Sequence, residues 1–164
     1  MTKIPTFTVE AARYDDVRAL VRLLGDNVPH VSAETVWQVP WNWHHYRVIR
    51  ALSGEIIGAG SLQPLACGRL EIRGLVVHRD WRKSQLATCL MKSLLLEARR
   101  RGLDIVCITR RPSFFRRFGF NETSPTWLDA MRRQVSGKHG LHTPASVSKR
   151  PRIAMTRGSG AQLC

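Results

Sequence analysis

The chain has 164 residues, 43% of them hydrophobic, with four cysteines that show neither paired metal-ligand spacing nor a disulfide-rich pattern. That composition excludes fibrous, disordered and disulfide-stapled classes and points to one globular domain, and no run reaches the roughly 18 consecutive apolar residues of a membrane span. The net charge of +14 draws polyanions, whether nucleic acid, membrane or a phosphorylated cofactor, unless each basic cluster is simply solvated. The N-terminal "MTKIPTFTVE" has no signal-peptide apolar core, so a cytoplasmic location is expected.

"TFTVEAA" alternates as a first strand, and "YDDVRALVRLLGDN" follows with Val17, Leu20, Val21 and Leu24 at helical spacing, closed by Gly25. Residues 26–43 carry Pro29 and Pro40 and read as irregular. Three strands are expected in "YRVIRAL", "EIIGAGSLQP" and "RLEIRGLVV", the first two joined through Ser53-Gly54 as a hairpin. A helix spans about residues 84–101 and stops at Gly102, a usual glycine position just past a helix end. "DIVCIT" is a short buried strand, in which Cys107, like Cys89 in the helix before it, reads as a reduced buried thiol. "RPSFFRRFGF" begins with Pro112 at a first helical turn and ends at Gly119. Residues 126–134 suit a further short helix, and residues 135–150 a loop. The expected division is a domain over residues 1–134 and a basic loop and tail over 135–164, in which residues 152–156 suit a last strand. One crossover helix among these strands implies an α/β fold whose mixed sheet is antiparallel in its first half.

The loop before the long helix has the layout of a phosphate cradle. A strand leading into a helix N-terminus offers unpaired N–H groups and a positive dipole end, and Arg82 and Lys83 add charge there. Residues 82–87 would wrap a pyrophosphate, with the Thr88 hydroxyl as a further donor. Many strand–helix junctions carry an arginine, so this alone does not name a ligand.

The segment around the loop resembles the GNAT superfamily of N-acetyltransferases, whose cofactor motif is Gln/Arg-x-x-Gly-x-Gly/Ala. Here the six positions are Arg82, Lys83, Ser84, Gln85, Leu86 and Ala87, so Gln85 stands where the family has its central glycine. "LEIRGLVVHRDWR" looks like the family's fourth strand and its turn, and "PSFFRRFGF" like its following helix and strand. More loosely, "LEIR", "FFRRFGF", "WLDAMRRQ" and "SKRPRIAMT" resemble the acetyltransferase domain of N-acetylglutamate synthase-like proteins. The resemblance implies a single-domain, mostly antiparallel central sheet flanked by helices. It also implies acetyl transfer from acetyl-CoA to a primary amine, of an amino acid or another small molecule. By position, the backbone of Leu75 and Val77 would contact the pantetheine arm and residues 82–88 would hold the pyrophosphate.

Amine acetylation needs a neutral amine, so a base must take a proton from the ammonium form, directly or through water. Glu71 occupies the position at which some relatives carry a glutamate base; the plainer alternative is a Glu71–Arg73 surface ion pair. Strand alternation puts Glu71, Arg73, Leu75 and Val77 on one face. Arg73 could bind an acceptor's carboxylate through its planar fork, and Trp43 in "VWQVPWNWHHYRV" could line the acceptor side. Where many relatives have a tyrosine acid, this chain has Phe114-Phe115, a departure that leaves a non-catalytic acyl-CoA-binding or regulatory module as the alternative. No metal is assigned, since His139 and His142 have no partner ligands in the sequence pattern. The expected partner is a small-molecule amine, with a homodimer left open by the sequence. No membrane partner is expected, and a nucleic-acid partner is disfavoured by the lack of any recognised binding signature but not excluded by the charge.

Overall fold

The computed structural model describes residues 7–28, 30–65, 68–123 and 153–157. Its strands are β1 (Phe7–Ala11), β2 (Tyr46–Ala51), β3 (Ile56–Pro64), β4 (Leu70–Val77), β5 (Ile105–Thr109), β6 (Asn121–Thr123) and β7 (Ile153–Arg157). Its α-helices are α1 (Val17–Gly25), α2 (Ala33–Asn42), α3 (Leu86–Arg101) and α4 (Pro112–Arg116). The strands hydrogen-bond in the order β1-β2-β3-β4-β5-β7-β6. The β1–β2, β2–β3, β5–β7 and β6–β7 ladders are antiparallel, and the β4–β5 ladder, joined through α3, is parallel. The expected helix over 126–134 and loop over 135–150 lie outside the described residues.

Two compact units divide the chain. The first comprises residues 1–63 and 73–97, the second residues 64–72 and 98–164. In the first, Leu20, Leu23 and Leu24 of α1 pack with Val39, Tyr46, Val48, Ala59 and Val76. Ile49, Ile57, Leu86 and Leu90 form another cluster, against which Leu75, Val77 and Trp81 lie. Every residue of β3 except its last is buried. Gly58 and Gly60 make the close approach of α3 possible: a Cβ on Gly58 would lie 3.3 Å from Leu90, and one on Gly60 3.1 Å from Leu94.

The segment over residues 26–43 differs from the sequence reading, because α2 occupies most of it. Ser32 caps the helix, its hydroxyl accepting from the Thr35 N–H at 3.3 Å, and Glu34 sits in the first turn, where the helix dipole favours a carboxylate. Pro40 lies inside the helix near its end. Loss of a single N–H there is tolerated because the preceding turns are already capped and packed through Val39.

The second unit is built on β5, whose Ile105, Val106 and Cys107 are buried. It pairs with β4 over Leu70–Ile72 and with β7 along its whole length. The end of α3 closes as the sequence suggests: Gly102 takes φ +64°, its N–H donates to Arg99 and the Leu103 N–H donates to Ala98. These two bonds are the pair that satisfies the last carbonyls of a helix ended by glycine. Phe115 and Phe120 meet edge to face at 5.5 Å, fixing the exit from α4.

Candidate functional site

Strand β4 does not alternate evenly. Gly74 has φ +60°, and a Cβ there would sit 3.0 Å from the Tyr46 hydroxyl, 3.1 Å from Leu24 and 3.3 Å from Thr35. Arg73 also turns toward α2, donating to Gln38 Oε1 at 2.9 Å, while Leu75 and Val77 pack with Leu86 and Leu90 and Val76 packs with the α1 cluster. Two successive residues, Arg73 and Gly74, therefore use the same face, which is the signature of a bulge. The expectation of one shared face for Glu71, Arg73, Leu75 and Val77 is corrected: the bulge moves Arg73 to the face opposite Leu75 and Val77. An isolated glycine inside an apolar strand is the sequence signal for this break.

On the β3 side β4 stays bonded to its end, with the His78 N–H donating to Ile57 at 2.8 Å. The parallel ladder to β5 covers only Leu70, Glu71 and Ile72. Among the described residues, the pairing of β4 with β5 thus ends at Ile72, before Leu75 and Val77.

The loop after β4 runs through a 3-10 turn (Arg79–Trp81) into exposed residues 82–85, and α3 begins at Leu86. Lys83 and Gln85 both hold left-handed backbone, at φ +67° and +61°, with Ser84 between them at negative φ. Alternating φ signs turn successive N–H groups to one side, making an anion-binding concavity. The first helical bond of α3 runs from the Cys89 N–H to Gln85, so the N–H groups of Leu86, Ala87 and Thr88 have no acceptor within the helix. Ser84 donates its hydroxyl to the Trp81 carbonyl, which folds the loop on itself. Arg82 donates to Asn27 Oδ1 at 2.8 Å, and Asn27 donates in turn to Leu23 at 2.7 Å. The Arg82 guanidinium thus anchors the loop to the end of α1, and Lys83 adds a second exposed cation beside it.

Glu71 is buried, 1% exposed, opposite Val106 in the β4–β5 ladder. The Cys107 thiol is pushed well above its ordinary range by burial first and by the Glu71 charge second. Arg73 is 10% exposed at its side chain and sits 3.8 Å from Glu34, which itself accepts from Gln38 at 3.1 Å. Trp43 is half-buried, edge-on to Tyr14 at 6.0 Å and to His44 at 5.8 Å. Cys89 is half-buried rather than buried, because it lies in the first turns of α3 beside the exposed loop. Phe115 is core, packed with Phe114 and Phe120.

Tyr46 was not singled out by its sequence context. Its ring is core, 1% exposed, and its hydroxyl makes no hydrogen bond of normal geometry. Burial pushes its pKa up to about 12, against smaller opposite effects of the nearby Ser61 hydroxyl and Arg73 charge.

Residues 42–122 match the model of the acetyltransferase (GNAT) domain. This half of the chain is related to the GNAT acetyltransferases. The chain's α/β architecture, a mostly antiparallel seven-stranded sheet flanked by helices, is that of solved GNAT structures. Rv2747 from Mycobacterium tuberculosis, solved in complex with CoA and NLQ, superposes with a TM-score of 0.72 at 22% identity, over 91% of this chain and 97% of that one. N-acetylglutamate synthase from Neisseria gonorrhoeae, complexed with coenzyme A and N-acetyl-glutamate, gives 0.68 at 19% identity, over 93% of this chain but only 35% of the synthase. A GNAT-family acetyltransferase from Staphylococcus aureus Mu50 gives 0.67 at 12% identity, over 93% and 98%. No curated protein matches the chain by sequence. Among the described residues, no helix is long and apolar enough to cross a membrane.

Proposed function

We propose that this chain transfers an acetyl group from acetyl-CoA to the primary amine of an amino acid or another small molecule. The observation that carries the reading is the end of the β4–β5 pairing at Ile72 among the described residues, followed by a loop with φ > 0 at Lys83 and Gln85. The strand beyond Ile72 suits an amide-bearing arm, and the loop with the first turn of α3 suits a pyrophosphate. Bound acetyl-CoA supplies the activated thioester, and the chain's own residues bind it, orient it and handle the proton. In this reading the backbone of Leu75 and Val77 holds the arm, and Lys83, Ser84, Gln85, Leu86, Ala87 and Thr88 hold the phosphates, with Arg82 fixing the loop through Asn27.

Glu71 is the proposed base, receiving the amine's proton through water because its carboxylate is buried. Arg73 and Trp43 are the proposed acceptor contacts. Arg73 reaches an acceptor carboxylate only in exchange with Glu34, whose carboxylate holds the place such a ligand would take. The presence of N-acetyl-glutamate in the synthase structure supports an amino acid as the acceptor class.

The test joins binding and turnover. Acetyl-CoA should raise the Tm, and Glu71→Gln should lower kcat by about 10²-fold or more with acetyl-CoA affinity retained. The defect should shrink at high pH, where more of the amine is already neutral. Absence of any thermal response to millimolar acetyl-CoA would sink the cofactor reading. Binding without transfer to a broad amine panel would favour the non-catalytic module, for which the absence of a tyrosine at Phe114-Phe115 speaks.

A further inference from the structure

The positive charge is concentrated in one unit. Residues 64–72 and 98–164 hold fifteen of the 26 Lys and Arg but four of the 12 Asp and Glu, a net +11 that leaves +3 for the other unit. The described acids of this unit do little to offset it. Glu71 is buried, Asp104 lies 3.9 Å from Arg69, and Glu122 is paired with Arg116.

Part of the basic surface has a local reason. Arg99, Arg100 and Arg101 occupy the last turn of α3, where the helix dipole favours cations. In the second cluster only Arg116 has such a reason, lying in the last turn of α4 and paired with Glu122. Arg110 and Arg111 precede α4 at its N-terminal end, where a cation is locally unfavourable, and exposed Arg116 and Arg117 follow within two turns. Arg117 stacks over the Phe114 ring at 5.8 Å, which holds one guanidinium plane at the surface.

We propose that the basic surface of this unit, centred on Arg110, Arg111, Arg116 and Arg117 and extended by Arg99 and Arg100, binds the phosphodiester backbone of a nucleic acid. The two clusters lie at opposite ends of β5, about 17 Å apart at strand rise. A duplex presents one charge per about 1.7 Å of axis, so one polymer can engage both. Arginine also dominates over lysine, and its planar fork fits phosphate oxygens in pairs. An acidic protein or a membrane fits less well. A protein interface needs a desolvated apolar or aromatic centre, and a bilayer site gains from inserted apolar residues. Among the described residues, the exposed large hydrophobics (Tyr14, Val28, Trp37, Trp41, Leu52 and Leu96) all belong to the other unit. Backbone phosphate contacts need no apolar centre.

The experiment is fluorescence anisotropy of the full chain on a short mixed-sequence DNA duplex, titrated from about 50 to about 200 mM salt. Sequence-independent binding that weakens steeply with salt is expected, unchanged by saturating acetyl-CoA. Replacing Arg110, Arg111 and Arg117 together by Ala should reduce the slope of log K against log salt by about 0.9 per lost contact while keeping the acetyl-CoA thermal shift. That retained shift shows the variant folded. No duplex binding at about 50 mM salt, or an unchanged slope in the triple variant, overturns the proposal. Displacement of duplex by acetyl-CoA reassigns these arginines to the cofactor. Equal displacement by polyglutamate, or tighter binding to anionic vesicles, replaces the nucleic acid with a protein or a membrane.

Discussion

Gln85 occupies a glycine's conformation. At φ +61° a residue with a Cβ costs about 1–2 kcal/mol, and glycine there relieves it at an entropic cost of about 0.5–1 kcal/mol. Gln85→Gly is therefore expected to stabilise the protein by about 0.5–1 kcal/mol, read as a small rise in Tm. Lys83, at φ +67°, should respond in the same direction. A fall in Tm for both variants would mean that their side chains hold the loop by contacts that outweigh the strain. The sequence shows that glycine is missing at position 85, because the motif spacing marks that place. It does not show the matching strain at Lys83, which arises only when the loop closes through Ser84 and Trp81.

Tyr46 offers a second test at this scale. Its phenol ordinarily titrates at 10.0 and is pushed up to about 12 by burial. Below pH 10 both folded and unfolded chains keep this proton, and the group adds no pH dependence. Between about pH 10 and 12 the unfolded chain loses it first, so stability falls as pH rises. Tyr46→Phe should remove that part of the alkaline loss in a denaturant titration. It should leave stability near neutral pH unchanged or higher by about 1 kcal/mol, since it deletes a buried hydroxyl without a hydrogen bond. An alkaline profile identical in wild type and variant would contradict the burial argument.

At the scale of the element, the bulge in β4 decides which side chains face which way. Gly74→Ala adds a Cβ at φ +60° within 3.0–3.3 Å of Tyr46, Leu24 and Thr35, so a loss of about 1–3 kcal/mol is expected in chemical denaturation. Combining it with Tyr46→Phe removes the closest of those atoms, and the double variant should lose less than the two changes sum to. Strict additivity would show that the backbone conformation, and not the contact, sets the cost. Strand existence was legible from alternation in "RLEIRGLVV", but the face of each residue was not, because one positive φ shifts every side chain beyond it. Helix α2 was hidden for a different reason. Pro40 reads as a breaker, whereas the Ser32 cap and the packing of Val39 outweigh it. The same helix carries Glu34 to Arg73, which no local pattern could reveal across 39 positions of chain. If Arg73 binds acceptor carboxylate, Glu34→Gln should lower KM for amino-acid acceptors a few-fold with kcat little changed. A raised KM would instead make Glu34 part of the acceptor's own binding.

For the whole molecule the dominant quantity is the net charge of +14. Self-repulsion of like charges destabilises a compact chain, and salt relieves it as the Debye length falls from about 30 Å at 0.01 M to about 8 Å at 0.15 M. The Tm should therefore rise on adding sodium chloride over that range, by a few degrees if screening recovers about 1 kcal/mol. Screening depends on ionic strength alone, so chloride and sulfate at matched ionic strength should give the same rise. A larger rise with sulfate that saturates at low millimolar concentration, unlike the steadily growing effect of its exclusion from the surface, would identify anion binding at built sites, of which the loop at Lys83 and the arginines around α4 are the two candidates. Charge reversal at exposed Arg99 and Arg100 to Glu separates these causes, because neither residue belongs to the loop or to α4. It lowers the net charge and removes the outer extension of the basic surface, while leaving the loop and the four arginines around α4 in place. If repulsion governs, the reversed protein is more stable at low salt and its Tm responds less to salt. If specific binding governs, its low-salt Tm is unchanged and the sulfate response persists in full.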